Sequence, residues 1–293
     1  MSGGPELRTR IERHLAELPV LPTVVVKLMG LDREAENYAD EVESLISAEP
    51  NFSARVIAAA NSASSAPASP ITTLAAAVAR IGSKRANDLV VALGVTTVFV
   101  PRDDWERSLW RHALQVAHAS RALANRTNDP PLDGAEAYLA GLLHDIGRFV
   151  LFQEAPEQLR EVDEGSWDSP KELVDFETAI CGMDHTELGA LACHAWGIPA
   201  LIADVVAGHH AVVEGSTTTT DRLTAIVQVA DLAMFPSALA AVDGYAAADV
   251  ATIGEELCPR LPGELSMSAA DLHRVIIDVT QEAASVLEDI GLG

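Results

Sequence analysis

Seven side chains suited to holding a metal ion fall between positions 112 and 231. His144 and Asp145 are adjacent, inside Gly141-Leu-Leu-His-Asp-Ile-Gly147. Leu139, Leu142, Leu143, Ile146 and Phe149 make the surrounding segment strongly apolar. An ionised aspartate in such a segment is costly unless it is paired or bound to a metal. A hydrogen-bonded His–Asp pair that pins two helices meets the same requirement, and the dipeptide alone does not separate the two readings.

The other positions add to the pattern. His112 lies on the stripe of Leu109, Ala113 and Val116, so it is expected to face inward. Asp231 shares an apolar face with Leu223, Val227, Ala230 and Met234. His209 and His210 are neighbours near a helix end, where side chains about 100° apart reach two different ions. His185 opens a helix after Gly182. Five histidines and two aspartates at such places make a mixed nitrogen and oxygen donor set for one or two transition ions. Packing alone is the competing reading. His118 points away from His112 on the same helix; it, His14, His194 and His273 are expected to be structural or solvated, and Cys193 to be core.

The elements that must position these groups read as helices. Segments with a period near 3.6 are separated by short Gly, Pro, Asn and Asp clusters. Helices are expected at 24–31, from a capping box at Asp40 and Glu43 through 46, and at 52–60, 71–81 and 84–100. Gly82 marks the break before the last, whose β-branched run could equally be a strand by propensity. Beyond a hinge at 101–104, helices are expected at 105–125, 134–152, 171–180, 185–196, 200–210, 221–235, 246–257 and 269–287. The acidic stretch 153–169 is expected to be a solvated linker, and 62–70 and 212–220 to be loops. The fold class is therefore all-α, a two-lobed bundle with an N-terminal lobe at 1–102 and a larger lobe at 103–293.

Composition narrows the function. With 20 Lys and Arg against 43 Asp and Glu, the net charge of −23 disfavours binding to nucleic acid or to an anionic membrane. Hydrophobic residues at 48% indicate a folded chain, and aromatics at 4% leave Ala, Leu, Val and Ile to build the core. Three cysteines, Cys181, Cys193 and Cys258, form neither a disulfide framework nor a CxxC zinc pair. The polar N-terminus has no apolar core of a signal peptide, and 89–100 is too short to span a bilayer. A cytoplasmic setting is expected. GxGxxG, GxxxxGK[ST] and GxSxG are all lacking.

Taken together, the motifs resemble the HDOD family, a bacterial signal-transduction branch of the HD superfamily. The N-terminal half carries Leu18-Pro-Val-Leu-Pro22, Ile46-Ser-Ala-Glu-Pro50, Ala60-Asn-Ser-Ala63, Ile71-Thr-Thr-Leu74 and Ala79-Arg-Ile-Gly82. The C-terminal half carries Leu109-Trp-Arg-His112, the HD segment, His185-Thr-Glu-Leu-Gly189, Trp196-Gly-Ile-Pro199 and Gly208-His-His210. The related HD-GYP cyclic-dinucleotide phosphodiesterases order their metal ligands H, HD, H, HH, D. The resemblance implies that order on His112, His144, Asp145, His185, His209, His210 and Asp231, with Asp145 bridging where two ions bind.

Departures bear on the activity implied. Ser108 stands one turn before His112, where some relatives have a glutamate. Arg148 replaces the lysine of HDIGK and is the expected phosphate-binding residue; Met234 replaces a second phosphate-binding lysine, and no GYP follows His210. The expected function is an HDOD-type signal-transduction regulator that binds a protein partner or a small nucleotide and carries one or two transition ions, iron or manganese ahead of zinc. The alternative is a metal-dependent phosphohydrolase acting on a cyclic dinucleotide or another phosphodiester.

Overall fold

A computed structural model describes residues 4–15, 21–62, 69–127, 132–165, 167, 169–211, 218–234, 257–261, 265 and 267–292. All regular elements among them are helical: α1 (Gly4–Leu15), α2 (Thr23–Met29), α3 (Tyr38–Ser47), α4 (Pro50–Ala60), α5 (Leu74–Ile81), α6 (Ser83–Val98), α7 (Asp104–Ala124) and α8 (Gly134–Leu143). They continue with α9 (Ile146–Glu154), α10 (Pro156–Asp163), α11 (Pro170–Cys181), α12 (His185–Ala195), α13 (Ala200–Gly208), α14 (Thr219–Met234) and α15 (Ala269–Ile290), with a short 3₁₀ turn at Cys258–Arg260. No described helix is long and apolar enough to cross a membrane. The helix expected at 246–257 and most of the loops expected at 62–70 and 212–220 lie outside the described residues; Thr219 and Thr220 open α14.

The chain forms two compact units, one of Asp104–Ala283 with α1, the other of Pro19–Asp103 with Ala284–Gly293. In the second unit, α6 is a helix throughout its β-branched run. Gly82 sets its start with φ 87°, a left-handed value natural to glycine. Ala86 to Val95 are all buried, so the segment is packed on every side and packing overrides its strand propensity. Thr96 and Thr97 return their hydroxyls to the Leu93 and Gly94 carbonyls, both at 2.7 Å. Asp40 and Glu43 do not form a capping box: α3 begins earlier, at Tyr38, with Asn37 before it and no side-chain cap.

The first unit carries the histidines. Its α7 packs on α8 and α14, α9 on α10 and α12, and α13 on α8, α12 and α14. Trp110 and Phe149 meet in the core at a tilt of 58°, with ring centroids 4.5 Å apart. Two glycines permit the closest approaches. A Cβ on Gly141 would stand 2.7 Å from the Val116 carbonyl oxygen and 2.8 Å from the Ala117 Cα, so α8 lies directly on α7. A Cβ on Gly147 would be driven into the His185 carbonyl group, so α9 meets the start of α12 backbone to backbone.

Two expectations change here. The stretch 134–152 is not one helix. It breaks at His144 and Asp145, where Asp145 leaves helical geometry (φ −97°, ψ 17°) and the Arg148 N–H donates to its carbonyl at 2.8 Å. The acidic stretch 153–169 is not an irregular linker, because Pro156 starts α10 and buries Leu159 and Val162 against the unit.

Candidate metal centre

The break between α8 and α9 places His144 at the end of one helix and Asp145 at the start of the next. His185 is the first residue of α12, behind Asp184, which caps the helix by accepting from the Thr186 and Glu187 N–H groups at 2.9 and 3.0 Å. His209 and His210 follow the last turn of α13. His112 and Asp231 come from within α7 and α14. All seven meet. Donor atoms of Asp145, His185, His209 and His210 lie within 4.8 Å of one another, and so do those of His112, His144 and Asp145.

Asp145 joins the two groups with different oxygens. Its Oδ1 lies 3.3 Å from His185 Nε2 and 3.7 Å from His209 Nε2, while its Oδ2 lies 3.5 Å from His144 Nε2. Asp231 completes the second group, with Oδ1 3.0 Å from His112 Nε2 and 3.7 Å from His144 Nε2.

The tautomers show that these residues suit a cation. Acceptors hold the outer nitrogen of four rings: His144 Nδ1 donates to the Gly141 carbonyl and His209 Nδ1 to that of Val206, both at 2.8 Å. His112 Nδ1 donates to the Met234 carbonyl at 3.3 Å, and His185 Nδ1 to the Glu177 carboxylate at 2.5 Å. Each neutral ring therefore turns a lone pair inward. His144 Nε2 is buried without a hydrogen-bond partner, facing carboxylate oxygens that also carry lone pairs. The Nε2 atoms of His185 and His209 face each other at 3.2 Å. Such an arrangement requires a positive charge between the groups, a proton or a metal ion. Two nitrogens each about 2.1 Å from a shared ion stand roughly 3.0–3.4 Å apart.

Charge distribution agrees. Burial would raise the Asp145 carboxyl, but His144, His209, His185 and Arg148 hold it well below the usual carboxylate range. Asp231 is likewise lowered against its burial by His112 and His144. Burial pushes His144 down to about 4, opposed in part by Asp145 and Asp231. It pushes His210 to about 2, aided by His209 and His185. For His185, burial is overcome by Glu177, which raises the ring to about 9; Asp231 likewise raises His112. Ionised carboxylates stand beside imidazoles, and the retained protons sit where a metal would compete with them.

Arg148 lies against the centre, but its guanidinium is engaged. Nη2 donates to Asp163, and Nε stands 3.7 Å from Glu177 Oε1. The Met234 side chain is fully buried. The Ser108 hydroxyl returns to the Trp105 carbonyl at 2.6 Å. His118 is buried and bonds Glu282 at 2.9 Å, and His14 bonds Glu154 at 2.9 Å. Glu177 was not singled out by residue type. Its signal was the i, i+4, i+8 stripe of Leu173, Glu177 and Cys181, which places a carboxylate on the buried face of α11.

Comparison with known proteins follows the same lines. The family model of the HDOD domain matches residues 18–212. An uncharacterized protein of Treponema pallidum (strain Nichols) is 27% identical over 210 residues, 70% of this chain; the chain spans only 40% of that protein. Among solved structures, a candidate phosphohydrolase from Shewanella amazonensis SB2B has a TM-score of 0.66 at 21% identity, covering 96% of this chain and 97% of that one. A candidate signal transduction protein from Marinobacter aquaeolei VT8 reaches 0.68 at 19% identity, covering 99% of this chain and 66% of that one. At these identities the structural likeness is one of fold.

Proposed function

The chain belongs to the HDOD domain family, and from that premise we propose that it is a signal-transduction regulator built around a metal centre of the HD type. It acts by binding a protein partner or a small nucleotide in the cytoplasm. One observation carries this reading: the donors for metal are assembled, while the cation beside them is committed elsewhere. Arg148 is held by Asp163 and Glu177, and Met234 is neutral and buried. A phosphodiester entering a chain of net charge −23 needs local cations to stabilise its transition state.

His112, His144, Asp145, His185, His209, His210 and Asp231 would hold one or two ions. Iron or manganese suits the mixed imidazole and carboxylate set better than zinc. Thiolates are not on offer, because among the described residues no cysteine belongs to either donor group. Such ions supply Lewis acidity, polarising a phosphoryl oxygen and making water more acidic. The protein's own part is to present unprotonated Nε2 atoms and to keep two carboxylates ionised.

The second reading is a metal-dependent phosphohydrolase acting on a cyclic dinucleotide or another phosphodiester. The two outward oxygens of Asp145, each serving a different donor group, favour it. A turnover assay with cyclic dinucleotides and a generic phosphodiester, with iron or manganese supplied, decides between the two. The regulator reading expects metal uptake with turnover near background. Robust turnover that vanishes in Asp145→Ala would establish the enzyme instead.

A further inference from the structure

Glu177 is a fully buried carboxylate that no metal donor group includes. Its Oε2 accepts twice from one residue, the His185 backbone N–H at 2.9 Å and the His185 ring Nδ1 at 2.5 Å. Its Oε1 makes no hydrogen bond and faces Arg148 Nε at 3.7 Å. Arg148 is buried as well and donates onward to Asp163, which also accepts from the Trp105 indole at 2.9 Å. A buried ion pair of this kind seldom stabilises a fold more than apolar side chains of the same volume would. Its retention is explained by what it does to His185.

The backing of the rings is unequal. His112, His144 and His209 are backed by neutral carbonyls, whereas His185 is backed by a charge. The donors are unequal too. On the Asp231 side two carboxylates serve two imidazoles; on the His185 side three imidazoles share one oxygen of Asp145. The histidine-rich half is short of negative charge, and Glu177 supplies it through the ring. A carboxylate bonded to the outer nitrogen of a ligating histidine fixes its orientation and makes the inner nitrogen a stronger donor. Resting on the metal-centre reading above, we propose that Glu177, held by Arg148, is the positioning residue that fixes His185 and sets the metal affinity of the histidine-rich half. Arg148 is then a strut rather than a phosphate ligand. Its planar fork spans Glu177 and Asp163 at once, which a lysine point charge does not.

The test is manganese(II) titration of the full chain, wild type against Glu177→Gln, Glu177→Ala and Arg148→Lys. His112→Ala identifies the binding step of the histidine-rich half as the one it leaves in place. That step should weaken about tenfold in Glu177→Gln and up to about 100-fold in Glu177→Ala, with the other step within about twofold of wild type. Arg148→Lys, which keeps the charge and loses the fork, should weaken the same step, and it carries the test if Glu177→Ala does not fold. Equal weakening of both steps, or no change in any variant, overturns the proposal. A wild-type chain that takes up no manganese instead overturns the metal-centre reading. Nitrogen-15 NMR of the metal-free protein, recorded at a pH where the ring is neutral, then decides about Glu177: the His185 ring should be protonated at Nδ1 in wild type and lose that preference in Glu177→Ala. An unchanged Nδ1 signal refutes the positioning role.

Discussion

Gly147→Ala tests whether backbone contact between α9 and α12 holds the metal centre together. The added methyl would meet the His185 carbonyl group and stand 2.8 Å from the Gly189 nitrogen. Carbon atoms pack best at about 3.5–4.0 Å, so the helices must part by roughly an ångström. Overpacking usually costs about 1–3 kcal/mol, and the upper end applies here because the opposing atoms are backbone and cannot rotate away. At about 2–4 °C per kcal/mol for a unit of this size, the melting temperature should fall by roughly 6–12 °C. His185 belongs to the displaced backbone, so its 3.2 Å approach to His209 opens and metal uptake at that half should drop as well. Gly208→Ala is the control. It too lies beside a candidate ligand, but its new methyl would meet only Thr224 Cγ2 at 3.8 Å. There a helical alanine should be neutral or stabilising by up to about 1 kcal/mol. The assay is thermal unfolding by circular dichroism, with metal content measured on the same samples. A Gly147→Ala protein that melts within about 2 °C of wild type, or no worse than Gly208→Ala, refutes the reasoning.

Asp145→Ala removes the one side chain shared by both donor groups and should abolish most bound metal, as read by elemental analysis of protein purified without chelator; equal, near-zero metal in wild type and variant would dissolve the seven-residue assignment. The metal-free His185 ring keeps its proton up to about 9, so an ion seated there must displace it and binding should strengthen as pH rises. From about pH 7 to about pH 8.5 the deprotonated fraction, and the apparent manganese affinity with it, should grow about 25-fold, against about 1.3-fold for an unperturbed ring. A flat titration profile would show that His185 is already neutral. In the second unit, Arg33→Met removes the guanidinium that donates to Asp88 at 2.6 Å, where the carboxylate side chain is 6% exposed. A loss of about 1.5–3 kcal/mol in denaturant unfolding is expected; a loss below about 1 kcal/mol would mean that the pair is effectively solvated.

What was legible in the sequence was local. Helix ends marked by Asn61, Gly82 and Gly182 stand where the residue types put them, since each needs only its own backbone geometry. The convergence of His112 with Asp231 was hinted at by apolar stripes, because a polar group on a buried face must find a partner. The break at His144 and Asp145 was not legible. Nothing in an apolar run announces it, and it arises from packing against α12 through Gly147. Nor were the partners of Arg148: Asp163 falls in the stretch expected to be a linker, and the stripe of Leu173, Glu177 and Cys181 puts Glu177 on a buried face without naming its partner. An ion pair between distant positions leaves no trace of its pairing in either segment.

Five of the seven donors sit at helix ends or immediately beyond them, and the seven are drawn from segments that begin at position 112 and finish at position 231. No single hairpin of helices contains enough of them to hold an ion. The site therefore cannot nucleate folding in the way a zinc finger's ligands do. It comes into being only once α7, α9, α12, α13 and α14 have docked, after the costly closure of the long loops between them. On the metal-centre reading, loading is a late event in the life of the chain. A newly made protein would pass through a folded, proton-filled form before any ion arrives, and the supply of metal would then determine how long it stays in that form.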